Sequence, residues 1–187
     1  MSAFVLREAV LTDVPRLAEI YGHAVLNGTA TFELVPPDAA EMQVRFESLT
    51  RQGYPYIVAA DRKDRVIGYA YAGPFRARPA YRWSVEDSVY IAPEAYGRGA
   101  GRALLERLLE LCEELGFRQM IAVIGGSDHA PSIRLHERAG FRTIGIFHGS
   151  GFKFGRWVDT VFMQIPIGDG RTSLPDETSG PGLLFGV

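Results

Sequence analysis

One cysteine, Cys112, is the only thiol in this chain of 187 residues, so no internal disulfide can form. It falls on the apolar side of a helical pattern and reads as a small core residue rather than a nucleophile. Charge of one sign is also lacking: 20 Lys and Arg against 22 Asp and Glu leave a net −2, which favours neither nucleic acid nor an anionic membrane as partner. No apolar run approaches membrane-spanning length. No basic stretch followed by an apolar run opens the chain, as a secretory leader would, and a soluble cytoplasmic protein is the expectation. His and Cys nowhere recur at metal-ligand spacing, so no metal is expected. The Gly-x-Ser-x-Gly elbow of many hydrolases is missing as well. What is present is ordinary globular material, 47% hydrophobic, enough for one domain with a substantial core.

Periodicity orders that material. Phe4 to Arg7 alternates as a first strand. Asp13 is placed to cap a helix, with Pro15 in its first turn and Val14, Leu17, Ala18, Tyr21 and Val25 at helical spacing. Asp38 and Glu41 form a capping-box pattern before Met42, Phe46 and Leu49. Tyr56–Ala60 and Val66–Ala72 flank a charged turn and read as a hairpin, and Tyr81–Ile91 as one long strand. A helix over 99–115 turns Leu104, Leu105, Leu108, Leu111, Cys112 and Leu115 inward, and Gly116 stops it. Met120–Ile124 is a short apolar strand of the sheet interior. Pro131–Ala139 is a short helix, and Phe141–His148 and Val158–Pro166 are the last strands. Residues 168–187 turn to Gly, Pro, Ser, Asp and Thr and read as a loose tail, leaving 1–167 as the domain. The order β-α-α-β-β-β-α-β-α-β-β is a mixed α/β layout, not a doubly wound βαβ repeat.

The stretch Val85-Glu86-Asp87-Ser88-Val89-Tyr90-Ile91, followed after four residues by Tyr96-Gly97-Arg98-Gly99-Ala100-Gly101-Arg102, carries the chemistry. It reads as strand, glycine turn and helix start. Alternate glycines leave main-chain N–H groups bare where a helix begins, a geometry that binds phosphate oxygens. A Walker loop would need a Lys and a Ser or Thr after the glycines, and neither follows. A dinucleotide turn would need Gly at 102, which is Arg. Without context, a packed helix cap explains the glycines equally well. With the carboxylate of Glu86 just upstream, group transfer from a phosphorylated donor becomes the reading.

Further motifs stand in order along the chain. They are Pro74-Phe75-Arg76-Ala77-Arg78-Pro79-Ala80-Tyr81, Val85-Glu86 before Ser88-Val89-Tyr90, Ala122-Val123-Ile124-Gly125, Ser132-Ile133-Arg134-Leu135-His136-Glu137-Arg138-Ala139-Gly140-Phe141, and Gly151-Phe152-Lys153 with Gly155, Trp157 and Asp159. Together they resemble the GNAT superfamily of N-acetyltransferases, and within it the phosphinothricin and methionine sulfoximine or sulfone acetyltransferase group, over about residues 3–167. The resemblance implies the GNAT fold, a mixed and mostly antiparallel central sheet flanked by helices. It implies acetyl-CoA as co-substrate and the α-amine of a small amino acid as acceptor. Two other readings stay open, a peptide or protein amine as acceptor, and an acyl-CoA-binding module without turnover.

The same resemblance distributes roles. Glu86 is the candidate base for an amine that is mostly protonated at neutral pH. Ser88 and Tyr90 should share its side of the strand, and Asp87 should face the other. N–H groups near Val89, Tyr90 and Ile91 would serve the oxyanion if the strand is splayed there. Gly97, Arg98, Gly99, Ala100, Gly101 and Arg102 would hold the cofactor's phosphates, with Tyr96 where the family has Gln or Arg. His129 stands where an Asn contacts the pantetheine arm. His136 takes the place of the Tyr that protonates the departing thiolate, or is a hydrogen-bonded helix histidine. Arg76 and Arg78, in a proline-bounded loop walled by Phe75 and Tyr81, suit a substrate carrying a carboxylate and a second oxyanion, with Val85 nearby. Lys153, in a hairpin, would reach the site of a partner in a homodimer.

Overall fold

Residues 4–178 and 180–183 are described by the computed structural model. Seven strands form one sheet: β1 (Phe4–Glu8), β2 (Tyr56–Asp61), β3 (Val66–Pro74), β4 (Ser84–Ile91), β5 (Gln119–Gly125), β6 (Arg142–Lys153) and β7 (Arg156–Pro166). Their order is β1-β2-β3-β4-β5-β7-β6, antiparallel throughout except for β4 against β5. Among the described residues four α-helices pack on it: α1 (Val14–Asn27), α2 (Ala39–Arg51), α3 (Ala100–Glu114) and α4 (Ala130–Arg138). This is the mixed α/β layout expected from the element order.

Helical spacing decides what each helix buries. Leu104, Leu105, Leu108 and Cys112 of α3 are fully buried, and each leucine gains about 1.5–3 kcal/mol from burial. α2 begins as its sequence requires, with the Asp38 carboxylate accepting from the Glu41 N–H at 2.8 Å. Its Phe46 meets Tyr56 edge-on at 5.0 Å. The rings of Tyr56, Tyr69, Tyr71 and Tyr90 follow one another across β2, β3 and β4 and end on Tyr21 of α1. That run assigns α1 and α2 to one face of the sheet. The opposite face carries α3 and α4.

Several local expectations change. Asp13 makes no side-chain cap on α1. Its carboxylate instead grips both Nη atoms of Arg7, at 2.7 and 2.9 Å, and accepts the Val10 N–H, because an arginine from β1 is the stronger donor. β4 begins at Ser84, not Tyr81, since Pro79–Tyr81 is a 3-10 turn. The last hairpin is longer than its apolar alternation indicated: β6 runs to Lys153 and β7 starts at Arg156. The segment read as a loose tail touches the body at several points. Arg118 donates to Ser173 Oγ and the Leu174 carbonyl, Arg82 pairs with Glu177 at 3.3 Å, and Pro181 is buried. Of that segment, 179 and 184–187 lie outside the described residues.

Candidate active site

The parallel pair β4–β5 is short. Ser84, Val85 and Glu86 align with Gln119, Met120 and Ile121, and there the pairing ends. β5 continues along β7 to Gly125, while β4 continues along β3 to Ile91. The two strands therefore part after Glu86. At the ends of the β3–β4 ladder, Phe75 N donates to Ser84 O and Ala92 N to Ile67 O. The two-residue period of an antiparallel ladder then turns the N–H groups of even-numbered β4 residues toward β3. Those of Asp87, Val89 and Ile91 face the parting.

A cavity of about 720 Å³ opens at this seam. Glu86, Val89, Tyr90 and Ile91 line it from β4. The glycine turn closes one end through Gly97, Gly99, Ala100 and Gly101, with Tyr96 at its lip. Gly97 and Gly99 have φ of 74° and 81°, values that L side chains rarely adopt. The first bond of α3 is Ala103 N to Gly99 O, so the N–H groups of Ala100, Gly101 and Arg102 have no acceptor within the helix. They form a phosphate-sized donor set at the positive end of its dipole. His129 and His136 line the same cavity from α4 and its entry. His129 Nδ1 is a buried nitrogen without a partner among the described residues, and burial holds the ring below its ordinary pKa.

Glu86 stands on the α1 face of β4. Burial, with the Asp87 charge adding to it and Arg76 opposing, pushes its carboxyl up to about 7. A group poised there is neutral or ionised at little cost, which suits proton transfer at neutral pH. Tyr71 lies beside it, pushed up to about 12 by burial, and stays a neutral phenol.

Residues 28–33 form the far wall, which no motif in the sequence announced. Thr29 Oγ1 donates to the Gly125 carbonyl at 2.7 Å, and Thr31 Oγ1 meets the Tyr21 hydroxyl at 2.9 Å. Phe32 lies on Gly151, where an added Cβ would sit 2.9 Å from the ring. Lys153 completes the clamp. The residue is 3% exposed and its ammonium donates to the Thr31 carbonyl at 2.8 Å. Lys153 is thus spent inside its own chain and does not reach outward, because a buried ammonium needs an acceptor close by.

Other expected residues lie outside the cavity. Val85 is fully buried in the core. It is on the α3 face of β4, one residue from Glu86, so strand alternation takes it away from the substrate side. Arg102 is exposed and donates to Glu106 at 2.7 Å, one turn on, and Arg98 is exposed on the turn. Arg76 stacks on Phe75 at 4.3 Å and its charge acts on Glu86, Phe75 meets Tyr81 edge-on, and Arg78 is exposed in the same loop, which makes the loop a basic ledge. Both ring nitrogens of His136 are taken, by the Ser132 carbonyl at 2.8 Å and by Asp87 at 3.0 Å. It is not a free acid in this geometry. Among the described residues, no group of three or more His, Cys, Asp or Glu is placed to hold a metal, and no helix is long and apolar enough to cross a membrane.

Known proteins resemble this chain in sequence and fold. A family model described as an acetyltransferase (GNAT) domain matches residues 6–162. Over 164 residues the chain is 49% identical to a phosphinothricin N-acetyltransferase of Alcaligenes faecalis, covering 88% of this chain and 83% of that one. Over 168 residues it is 41% identical to an L-methionine sulfoximine/L-methionine sulfone acetyltransferase of Pseudomonas paraeruginosa, covering 90% and 97%. The solved structure of a GNAT superfamily phosphinothricin acetyltransferase from Sinorhizobium meliloti, in complex with acetyl-CoA, superposes with a TM-score of 0.94 at 52% identity over 97% of each chain.

Proposed function

This chain belongs to the GNAT acetyltransferase family, and from that premise we propose that it acetylates the α-amino group of a small amino acid of the phosphinothricin, methionine sulfoximine or methionine sulfone kind. Acetyl-CoA supplies an activated acetyl group on a thioester and two phosphates for the glycine turn. The observation that carries the reading is the parting of β4 from β5 immediately after Glu86, between that carboxyl and the bare amides at the start of α3.

Each residue has a task in this reading. The amides of Ala100, Gly101 and Arg102 hold the diphosphate, with Arg98 adding charge from the turn. The N–H groups of Val89 and Ile91 take carbonyl oxygens, the acetyl oxygen among them, and cost no reorganisation because the sheet already holds them apart. The His129 side chain flanks the pantetheine arm. Glu86 accepts a proton from the ammonium, directly or through a water, and passes it to solvent. Arg76 and Arg78 draw the acceptor's carboxylate and second oxyanion to the ledge, which favours a small doubly anionic or polar acceptor over a peptide. A panel of amino acids with acetyl-CoA, followed by thiol release, tests the reading. Turnover is expected with phosphinothricin or the sulfone. Cofactor binding without turnover on any amine would leave only a binding module.

The finer parts of the reading are a homodimer in the cytoplasm. The β6–β7 hairpin exposes Ile144, Phe147, Phe152, Phe154 and Trp157, each between 56% and 69%. Phe152 and Trp157 meet at 5.2 Å. A cluster of this kind marks a contact surface, and a second copy is its occupant here. Sedimentation is expected to show a dimer that Phe147→Glu with Trp157→Glu converts to monomer. A monomeric parent would remove the dimer, and cell fractionation tests the location.

A further inference from the structure

Asp87 is the first residue of β4 beyond its pairing with β5. Its side chain is 2% exposed and its Oδ2 lies 3.0 Å from His136 Nε2. The other ring nitrogen, Nδ1, lies 2.8 Å from the Ser132 carbonyl, one turn back along α4. A carbonyl accepts and never donates, and so does an ionised carboxylate. Acceptors at both nitrogens call for a proton on each. The His136 ring is 5% exposed and edge-on to Phe141 at 5.0 Å. Asp87 Oδ1 has no partner among the described residues, so the imidazole is the group that compensates this carboxylate. Two other ionisable groups feel the Asp87 charge: the Cys112 thiol on α3, kept protonated by burial, and Glu86, on the opposite face of β4.

We propose that Asp87 is a positioning residue that holds His136 protonated on both nitrogens, as a fixed positive charge on the wall of the cavity that takes the thioester. The proposal rests on the acetyl-transfer reading and gives His136 a different task from proton donation. In the reaction a nitrogen–carbon bond forms and the carbon–sulfur bond breaks with its electron pair on sulfur. Of the two protons nitrogen gives up, one leaves through Glu86 to solvent and the other ends on the thiol. His136 keeps both of its protons. Its charge favours the electron pair on sulfur because the ring is buried and held in place before the bond breaks. Burial pulls the ring toward neutrality, yet the Asp87 bond and charge, with the Ser132 carbonyl, together outweigh it and hold His136 above its ordinary value.

Nitrogen-15 NMR of the histidine rings tests this on the free enzyme. Wild type is expected to show His136 protonated at both nitrogens at neutral pH. Asp87→Asn should leave only Nδ1–H, with the amide donating to Nε2, and lower kcat about a hundredfold with a smaller change in the amine KM. Asp87→Glu should restore the doubly protonated ring and part of kcat. A merely structural Asp87 would lower Tm without changing the ring protonation. A neutral His136 in wild type overturns the proposal, as does an Asp87→Asn enzyme with wild-type kcat and pH profile. Because the ring signal needs no turnover, failure of the pair is distinguishable from failure of the acetyl-transfer reading.

Discussion

Glu86→Gln is expected to lower kcat/KM by about 10²–10⁴-fold, the usual contribution of a positioned base, and to abolish the pH dependence around neutrality. In wild type the carboxyl, pushed up to about 7, must ionise before it can take a proton. Activity should therefore rise with pH through that value and level off above it. The amide has no such ionisation, so its residual rate should follow only the ionisation of the amine. Stability should move the opposite way. The folded pKa lies above the ordinary 4.5, so between those values the folded state binds more protons than the unfolded state. Wild type consequently loses stability as pH rises from about 4.5 through about 7, and Glu86→Gln should melt higher than wild type above neutrality. A variant with wild-type kcat/KM on a good substrate would remove Glu86 as the base. Equal melting temperatures on both sides of pH 7 would mean that the carboxyl is solvated like any surface group.

Gly125→Ala is expected to be the most damaging single methyl in the molecule. An added Cβ there would sit 1.9 Å from the Thr29 carbonyl oxygen and 3.2 Å from the Phe32 ring. The first of these is backbone and cannot swing aside. Strain is not at issue, because Gly125 does not have positive φ; space is. Overpacking of this kind costs about 1–3 kcal/mol, and the displaced segment is the wall formed by residues 28–33. Misplacement of a wall by about 1 Å can cost a hundredfold in rate. Melting temperature and kcat/KM should fall together. Gly145→Ala is the control, because nothing lies within 4 Å of its added Cβ. Equal effects at the two positions would refute the packing argument.

The sequence displayed what depends on local period. Alternation in β4 separates Glu86, Ser88 and Tyr90 from Val85 and Asp87, and the structure keeps that division. The glycine turn, the Asp38 cap and the α3 stripe through Cys112 are equally readable, since each is made by neighbours along the chain; Leu115, expected inward, is exposed because the helix has ended before it. What was hidden depends on partners far apart. No spacing tells that β4 abandons β5 after three pairs, or that Asp87 meets His136 49 residues on. The wall at 28–33 lacked a signal because Thr-Ala-Thr-Phe carries no motif, and its grip comes from Gly125 and Lys153 in other strands. The full length of β6 is not legible because, with most of its residues exposed, the strand offers no apolar alternation to follow beyond His148. Lys153 reads as an outward cation in a hairpin, and only packing reveals an inward one.

The parting of β4 and β5 has one more consequence. A free protein of this design keeps a raw strand border in the middle of its own sheet, and such borders invite foreign strands. A thioester donor with amide groups along its arm is chemically suited to lie there as a guest strand. Occupancy should then slow amide exchange on both flanks of the crevice at once, and purified material stored with the donor should resist clumping better than material stored without it.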